Sequence, residues 1–110
     1  DTQVEQALKD FDINVSKMVR QFNLQSYRVQ VAGKTANLAR HRYDVARRLY
    51  ILGKSTLLDF NAATSEKDAA LRNHIGALQT YWNLYYGLRS MTGHELELTI
   101  PQTHLADETN

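Results

Sequence analysis

Apolar residues in the first half of the chain recur at alternating steps of four and three. They are Val4, Leu8, Phe11, Val15, Met18, Phe22, Val29, Ala32, Ala36, Ala39, Tyr43, Ala46 and Tyr50, with the polar Gln25 as the one exception. This heptad spacing is typical of a helix that packs along a seam against another helix. Because no proline interrupts it, the pattern predicts one helix from about residue 2 to about residue 51, roughly 75 Å long at 1.5 Å per residue.

The heptad pattern stops at Leu52-Gly53-Lys54-Ser55-Thr56. Glycine accommodates the left-handed conformation that ends many helices, and Ser55 or Thr56 can cap a following helix. Thr56 with Asp59 has the form of a capping box, with Asp in place of the usual Glu or Gln. We therefore predict a turn at 52–55 and a second helix from about 56 to about 92, closed by Gly93. A connection this short makes the two helices antiparallel neighbours.

The second helix has its own apolar residues at helical spacing, which predict its seam. They are Leu57, Phe60, Leu71, Ile75, Leu78, Trp82, Tyr85 and Leu88. With the turn at 53–55, the residue numbers of facing positions add up to about 108. This register places Ala32, Ala36 and Ala39 near Ile75, Leu71 and Asp68, Phe22 near Tyr85 and Tyr86, Gln25 near Asn83, Arg40 near Asp68 and Arg42 near Glu66.

Each helix also carries a second apolar stripe at steps of seven. The stripes are Leu24, Val31, Leu38, Val45 and Leu52 on the first helix, and Ala63, Ala70, Ala77, Leu84 and Met91 on the second. A hairpin alone needs one seam per helix, so two seams predict neighbours on both sides and a multi-helix assembly. Val4, Leu8 and Phe11 extend past the predicted end of the second helix, and we expect another chain, a missing segment or the folded-back tail to cover them.

The composition changes after Gly93. Residues 95–100 alternate polar and apolar side chains, which predicts a short strand that ends at Pro101, and residues 104–110 are polar and acidic. The predicted organisation is a helical hairpin over 1–93 and an extended acidic tail over 94–110. The chain begins at Asp1, which suggests a processed product or an excised piece.

Composition argues against catalysis. The chain has 13 Lys+Arg, 12 Asp+Glu and no cysteine, which excludes disulfides, thiolate zinc sites and cysteine nucleophiles. The four histidines, His41, His74, His94 and His104, lack metal-ligand spacing. We expect no catalytic residue, no metal, no cofactor and no enzyme activity, because a hairpin offers no enclosed pocket for a catalytic triad.

Two other clusters have simpler interpretations than binding sites. Six basic residues lie between Lys34 and Lys54 beside one acidic residue, but they share the segment with the apolar seams and the net charge is only +1. We therefore do not expect nucleic-acid binding. The aromatic cluster Tyr81, Trp82, Tyr85 and Tyr86 is interpreted as a layer of helix packing rather than a partner anchor or a membrane-interface belt.

The residues around the predicted turn resemble a known family. Residues 46–59 read ARRLYILGKSTLLD and residues 85–93 read YYGLRSMTG. The first stretch resembles the Tyr-x-x-Gly turn of the TolC-type outer membrane efflux protein family, which restarts with Ser/Thr, two apolar residues and Asp. The second is similar to the family's aromatic and leucine-rich ending in Leu-Thr-Gly, and the alanine-rich stretch 36–43 also matches.

The resemblance implies a trimeric outer membrane channel whose long helices form a periplasmic α-barrel. Each member of the family has two similar repeats, and the tips of their hairpins meet a periplasmic adaptor that connects to an inner-membrane transporter. This chain would then be a periplasmic fragment that consists of the second repeat and its tail. The full-length protein would contact the membrane only through β-strands that this chain lacks. The trimer would be the form of the full-length channel, and the fragment alone is expected to self-associate.

The resemblance also implies roles for individual residues. Tyr50 matches the gate tyrosine and Asp59 matches a pore aspartate, while Leu52, Gly53, Lys54, Ser55, Thr56 and Leu57 would form the adaptor-facing tip. The chain departs from the best-known member of the family at two positions, with Ser55 in place of a gating arginine and Ala62 in place of a second pore aspartate. The alternative to a channel segment is a stand-alone coiled-coil interaction module, such as the hairpin of a periplasmic adaptor.

Overall fold

The protein is a hairpin of two long helices. The computed structural model describes the backbone of residues 2–99 and the side chains of residues 2–91. Over this range the chain forms α1 at Thr2–Ile51 and α2 at Leu57–Thr99, and it contains no strand. The predicted all-α antiparallel hairpin is confirmed, and α1 spans the range over which the heptad pattern predicts a helix.

The hairpin divides into two compact units. One is Leu24–Tyr81, which contains the turn, and the other combines Asp1–Asn23 with Trp82–Asn110. In the turn-containing unit Arg42 Nη1 lies 2.7 Å from Glu66 Oε1, as the predicted register requires. No ion pair joins Arg40 to Asp68 among the residues described.

The seam of α1 is buried as predicted from Phe11 to Ala46, whereas its outer members Val4, Leu8 and Tyr50 are exposed. Every seam residue from Phe11 to Ala46 is half-buried or buried, and Ala39 is only 3% exposed. Gln25 is 6% exposed, and its Nε2 donates a 2.9 Å hydrogen bond to the carbonyl oxygen of Ala77. The buried amide of Gln25 is thus paired with a backbone acceptor of its own unit, and its proximity to Asn83 stays a prediction.

The predicted seam of α2 is confirmed in part, since Phe60, Leu78, Tyr85 and Leu88 are half-buried, and the rest of the seam differs from the prediction. Ala70 is 8% exposed and Ala63 and Ala77 are half-buried, whereas Leu71 and Ile75 are about half exposed. Leu57 and Trp82 are exposed as well. The alanine stripe that we expected to be spare thus belongs to the seam, because small side chains let two helix axes approach closely, while Leu71 and Ile75 are displaced to the flank.

The other unit is organised by aromatic packing. Phe22 and Tyr85 have ring centroids 6.2 Å apart, which confirms their predicted proximity. Tyr85 also makes edge contacts with Trp82 and Tyr86, each at 5.5 Å between centroids. Three aromatic rings of α2 therefore form one packed layer with Phe22, although Trp82 and Tyr86 keep large exposed surfaces.

Two expectations about the chain ends need correction. α2 does not stop at Gly93 but continues to Thr99, so residues 95–99 are helical and not a strand. A glycine inside a helix costs only about 1 kcal/mol relative to alanine, and the Glu and Leu that follow are good helix formers. Phe11 is half-buried rather than uncovered, whereas Val4 and Leu8 are exposed as expected. The predicted extended tail beyond residue 99 lies outside the described residues.

Candidate functional site: the hairpin tip

The end of α1 has a defined geometry. Gly53 has a φ of 72°, in the left-handed region that favours glycine. The Gly53 N–H donates to the carbonyl of Tyr50 at 3.0 Å, and the Lys54 N–H donates to the carbonyl of Leu49 at 2.8 Å. This pair of bonds is the Schellman motif, which satisfies carbonyls that the end of a helix would otherwise leave unpaired.

The start of α2 is capped by Thr56. Its Oγ1 accepts a 3.1 Å hydrogen bond from the backbone N–H of Asp59, so Thr56 is the N-cap, as the sequence predicts. The Ser55 hydroxyl instead donates to the carbonyl of Thr56 over 3.4 Å, a longer contact. The acidic Asp59 also lies in the first turn of α2, where a negative charge interacts favourably with the helix dipole.

A ladder of aromatic rings connects the two helices directly behind the tip. The Phe60 ring lies between Tyr50, with centroids 5.2 Å apart in a stacked arrangement, and Tyr43, at 5.6 Å. Lys67 Nζ lies 3.9 Å from the centroid of the Tyr43 ring. Such contacts contribute about 0.5–1.5 kcal/mol per ring pair, so this ladder helps to hold the turn against the body of the hairpin.

The outer surface of the tip is apolar. Leu58 is 77% exposed, Leu52 is 65% exposed, and Ile51 and Leu57 are also largely exposed. Fully burying one such side chain contributes about 1.5–3 kcal/mol. Four of them at one end of a hairpin form a surface suited to contact with another apolar surface.

The structure separates the predicted site residues into two groups. Leu52 and Leu57 lie on the exposed surface, whereas Gly53, Lys54, Ser55 and Thr56 form the turn and cap that position them. Tyr50 has its ring stacked on Phe60, and Asp59 is exposed beside its cap. Sequence reasoning missed Leu58, Ile51 and the pairing of Tyr50 with Phe60. The predicted register places Phe60 level with position 48, near the end of α1, but it does not identify Tyr50 as the partner ring.

The exposed side chains at the tip are mostly apolar. No group of three His, Asp or Glu side chains among them is arranged to hold a metal ion. None of the helical segments that the structure describes is both long enough and apolar enough to pass through a membrane. The exposed side chains of the tip offer apolar packing beside one cation, Lys54, and one carboxylate, Asp59.

Comparisons with known proteins do not identify a family. No family model matches the chain, and neither a curated protein nor a solved structure matches it significantly.

Proposed function

We propose that this chain is a hairpin in the periplasmic wall of a TolC-type outer membrane efflux or secretion channel. The observation that carries the proposal is an exposed apolar stripe on each helix, outside the seam of the hairpin. We define the α1 stripe as Leu24, Val31, Leu38, Val45 and Leu52, and the α2 stripe as Leu71, Ile75, Trp82 and Tyr86; all nine residues are exposed. A helix in a closed wall has two neighbours and needs two apolar faces, which these stripes supply.

The tip supports the second part of the proposal, which is docking. In a wall of hairpins the turn is the free end, and here it presents Leu52, Leu57 and Leu58 on a capped, well-defined turn. An adaptor with an apolar surface could bury these side chains and connect the channel to an inner-membrane transporter. Tyr50 and Asp59 would then lie at the gate, directly behind that contact.

A stand-alone coiled-coil module, such as the hairpin of a periplasmic adaptor, is the second candidate, since its tip would also present apolar side chains. The complete reading frame distinguishes the two. A channel protein is expected to show a second, similar hairpin and transmembrane strands, whereas an adaptor is expected to show lipoyl-like β segments beside the hairpin. A reading frame without the repeat and the strands would end the channel proposal.

The docking role can be tested in the full-length protein with Leu58→Glu and Leu52→Glu. A charge inside an apolar contact is costly, so each variant is expected to reduce adaptor cross-linking and export about tenfold or more, equivalent to about 1.4 kcal/mol. Ser65→Glu, at an exposed polar position of α2, is the matched control and should leave both unchanged. Normal adaptor cross-linking in both leucine variants would refute docking through the tip.

A further inference from the structure

A groove runs along the seam within the unit Leu24–Tyr81. It has a volume of about 350 Å³ and is lined by residues of both helices. Ala32, Ala70 and Ala77 form its floor, since they are buried or half-buried whereas the other lining residues are exposed. The volume lies at the lower end of the range for small-molecule pockets, about 300–1,000 Å³.

The groove carries a positive charge at one end. Among the described residues that line it, Arg28 is the only charged one. Thr35 lines the groove seven residues further along α1, about 10 Å away along the helix axis. The hydrogen bond from Gln25 to the carbonyl oxygen of Ala77 shows which end is which. Because Gln25 precedes Arg28 by less than one helical turn, the cation lies toward the Ala77 end of the groove and Thr35 lies toward the opposite end.

The helical segments that form the groove contain no acidic residue. Residues 24–43 and 69–81 include five Lys or Arg and no Asp or Glu. The five are Arg28, Lys34, Arg40, Arg42 and Arg72. Among the residues described, Arg42 is ion-paired with Glu66, whereas Arg28 has no acidic partner. An anion in the groove therefore meets net positive charge, and the planar guanidinium of Arg28 suits a carboxylate or a sulfonate.

The rest of the groove suits an apolar ring system. Val31 and the alanine floor offer apolar contact, and Tyr27, which is 64% exposed, adds an aromatic ring beside Arg28. Thr35 and Asn73 are the uncharged polar residues along the remaining length. A mostly apolar surface with a few polar groups and one charge is the usual lining of a small-molecule site.

We propose that this groove binds an organic anion of two or three rings. The acidic group lies at Arg28 and the rings lie along the alanine floor toward Thr35, a length of about 10 Å. No part of the proposed channel function uses the groove, so this inference goes beyond that function and does not depend on it.

Two fluorescent probes test the proposal in the 110-residue chain. 8-Anilinonaphthalene-1-sulfonate carries a sulfonate, and N-phenyl-1-naphthylamine has the same rings without it. Val31 also belongs to the α1 stripe, so both titrations are made at one fixed low protein concentration to limit association of chains. We expect the sulfonate probe to bind more tightly than the neutral one. Equal affinities of the two probes would overturn the proposal.

Arg28→Gln tests the role of the cation. It should weaken the sulfonate probe about fivefold, as the loss of one exposed ion pair implies, and leave the neutral probe unchanged. Arg40→Gln is the matched control, because Arg40 is exposed on the same helix and does not line the groove. Both probes should bind this control as they bind the wild-type chain. Equal losses in the two variants, or no loss in Arg28→Gln, would overturn the assignment of the anion to Arg28.

Thr35→Trp tests the location by filling the groove. It should weaken both probes at least about fivefold, because apolar contact area is lost. Asn37→Trp, at an exposed position outside the groove, is the control and should weaken neither. Circular dichroism of each variant checks that the helices remain. Undiminished binding in Thr35→Trp would place the probes elsewhere on the chain and overturn the proposal.

Discussion

Gly33 offers a sharp test of how closely the helices approach. A Cβ added at Gly33 would lie 3.3 Å from Nε2 of His74, tighter than an ordinary van der Waals contact, whereas a Cβ at Gly76 would meet nothing within 4 Å. Both glycines lie inside helices of the same unit. They therefore form a matched pair for the same substitution.

The expected magnitudes follow from these contacts. Alanine in place of a helical glycine stabilises by about 0.8–1.0 kcal/mol through propensity alone, and Gly76→Ala should gain this in full. At Gly33 the same gain is offset by displacement of the His74 ring, because overpacking typically costs about 1–3 kcal/mol. We expect Gly33→Ala to be neutral or destabilising, at least about 1 kcal/mol below Gly76→Ala.

Urea unfolding followed by circular dichroism, at one fixed low protein concentration, measures the difference. Repeating both substitutions in a His74→Ala background provides the control, because the two glycines should then give equal gains. If Gly33→Ala stabilises as much as Gly76→Ala with His74 present, the close packing argued here is wrong. If the stability difference between Gly33→Ala and Gly76→Ala persists in the His74→Ala background, its cause is not the His74 ring.

Three further predictions concern the turn and the buried amide. Thr56→Ala should lower the free energy of unfolding by about 1 kcal/mol through loss of the N-cap, with Thr56→Ser nearly neutral; equal stability of both variants would refute the cap. Gly53→Ala should lower the free energy of unfolding by about 1–2 kcal/mol because of the positive φ, and Gly53→Asn should lower it by less. An unchanged melting temperature for Gly53→Ala would contradict the turn geometry. Gln25→Ala should cost about 1–2 kcal/mol through the lost hydrogen bond and packing. Gln25→Leu retains more of the side-chain volume and should lower the free energy of unfolding by less in denaturant titrations. Equal losses of stability in the two variants would show that side-chain volume at this position is unimportant.

The sequence predicts α1 well because its pattern is simple. The alternation of steps from Phe11 to Ala46 indicates which face is buried, and the seven-residue steps from Leu24 to Leu52 indicate the exposed stripe. Both depend only on helical periodicity, which one helix determines by itself.

The burial pattern of α2 could not be predicted in the same way. Two sets of apolar residues recur at helical spacing on α2, large ones such as Leu71 and Ile75 and small ones such as Ala70 and Ala77. We expected the set with large side chains to be buried. The structure buries Ala70 and, on α1, Ala39, because small side chains on both helices let the helix axes approach closely. Which set of residues is buried depends on the distance between the two helices, and the pattern of a single helix carries no information on that distance.

At the tip, too, local features were predictable from the sequence and contacts between the helices were not. The Thr56 cap and the Gly53 turn follow from local chemistry and were predictable, since each needs only neighbouring residues. The stacking of Tyr50 on Phe60 joins two helices and depends on their rotation about their own axes. Contacts of this kind appear only when both helices are placed.

The central claim is that this hairpin is a section of a larger helical assembly and not a self-sufficient domain. Equilibrium sedimentation of the 110-residue chain at micromolar concentrations tests it most directly. The account predicts a mass that rises with concentration above the 12.6 kDa of one chain, as mass action through two exposed stripes requires. A stable, fully helical species that remains at 12.6 kDa across that range would contradict it.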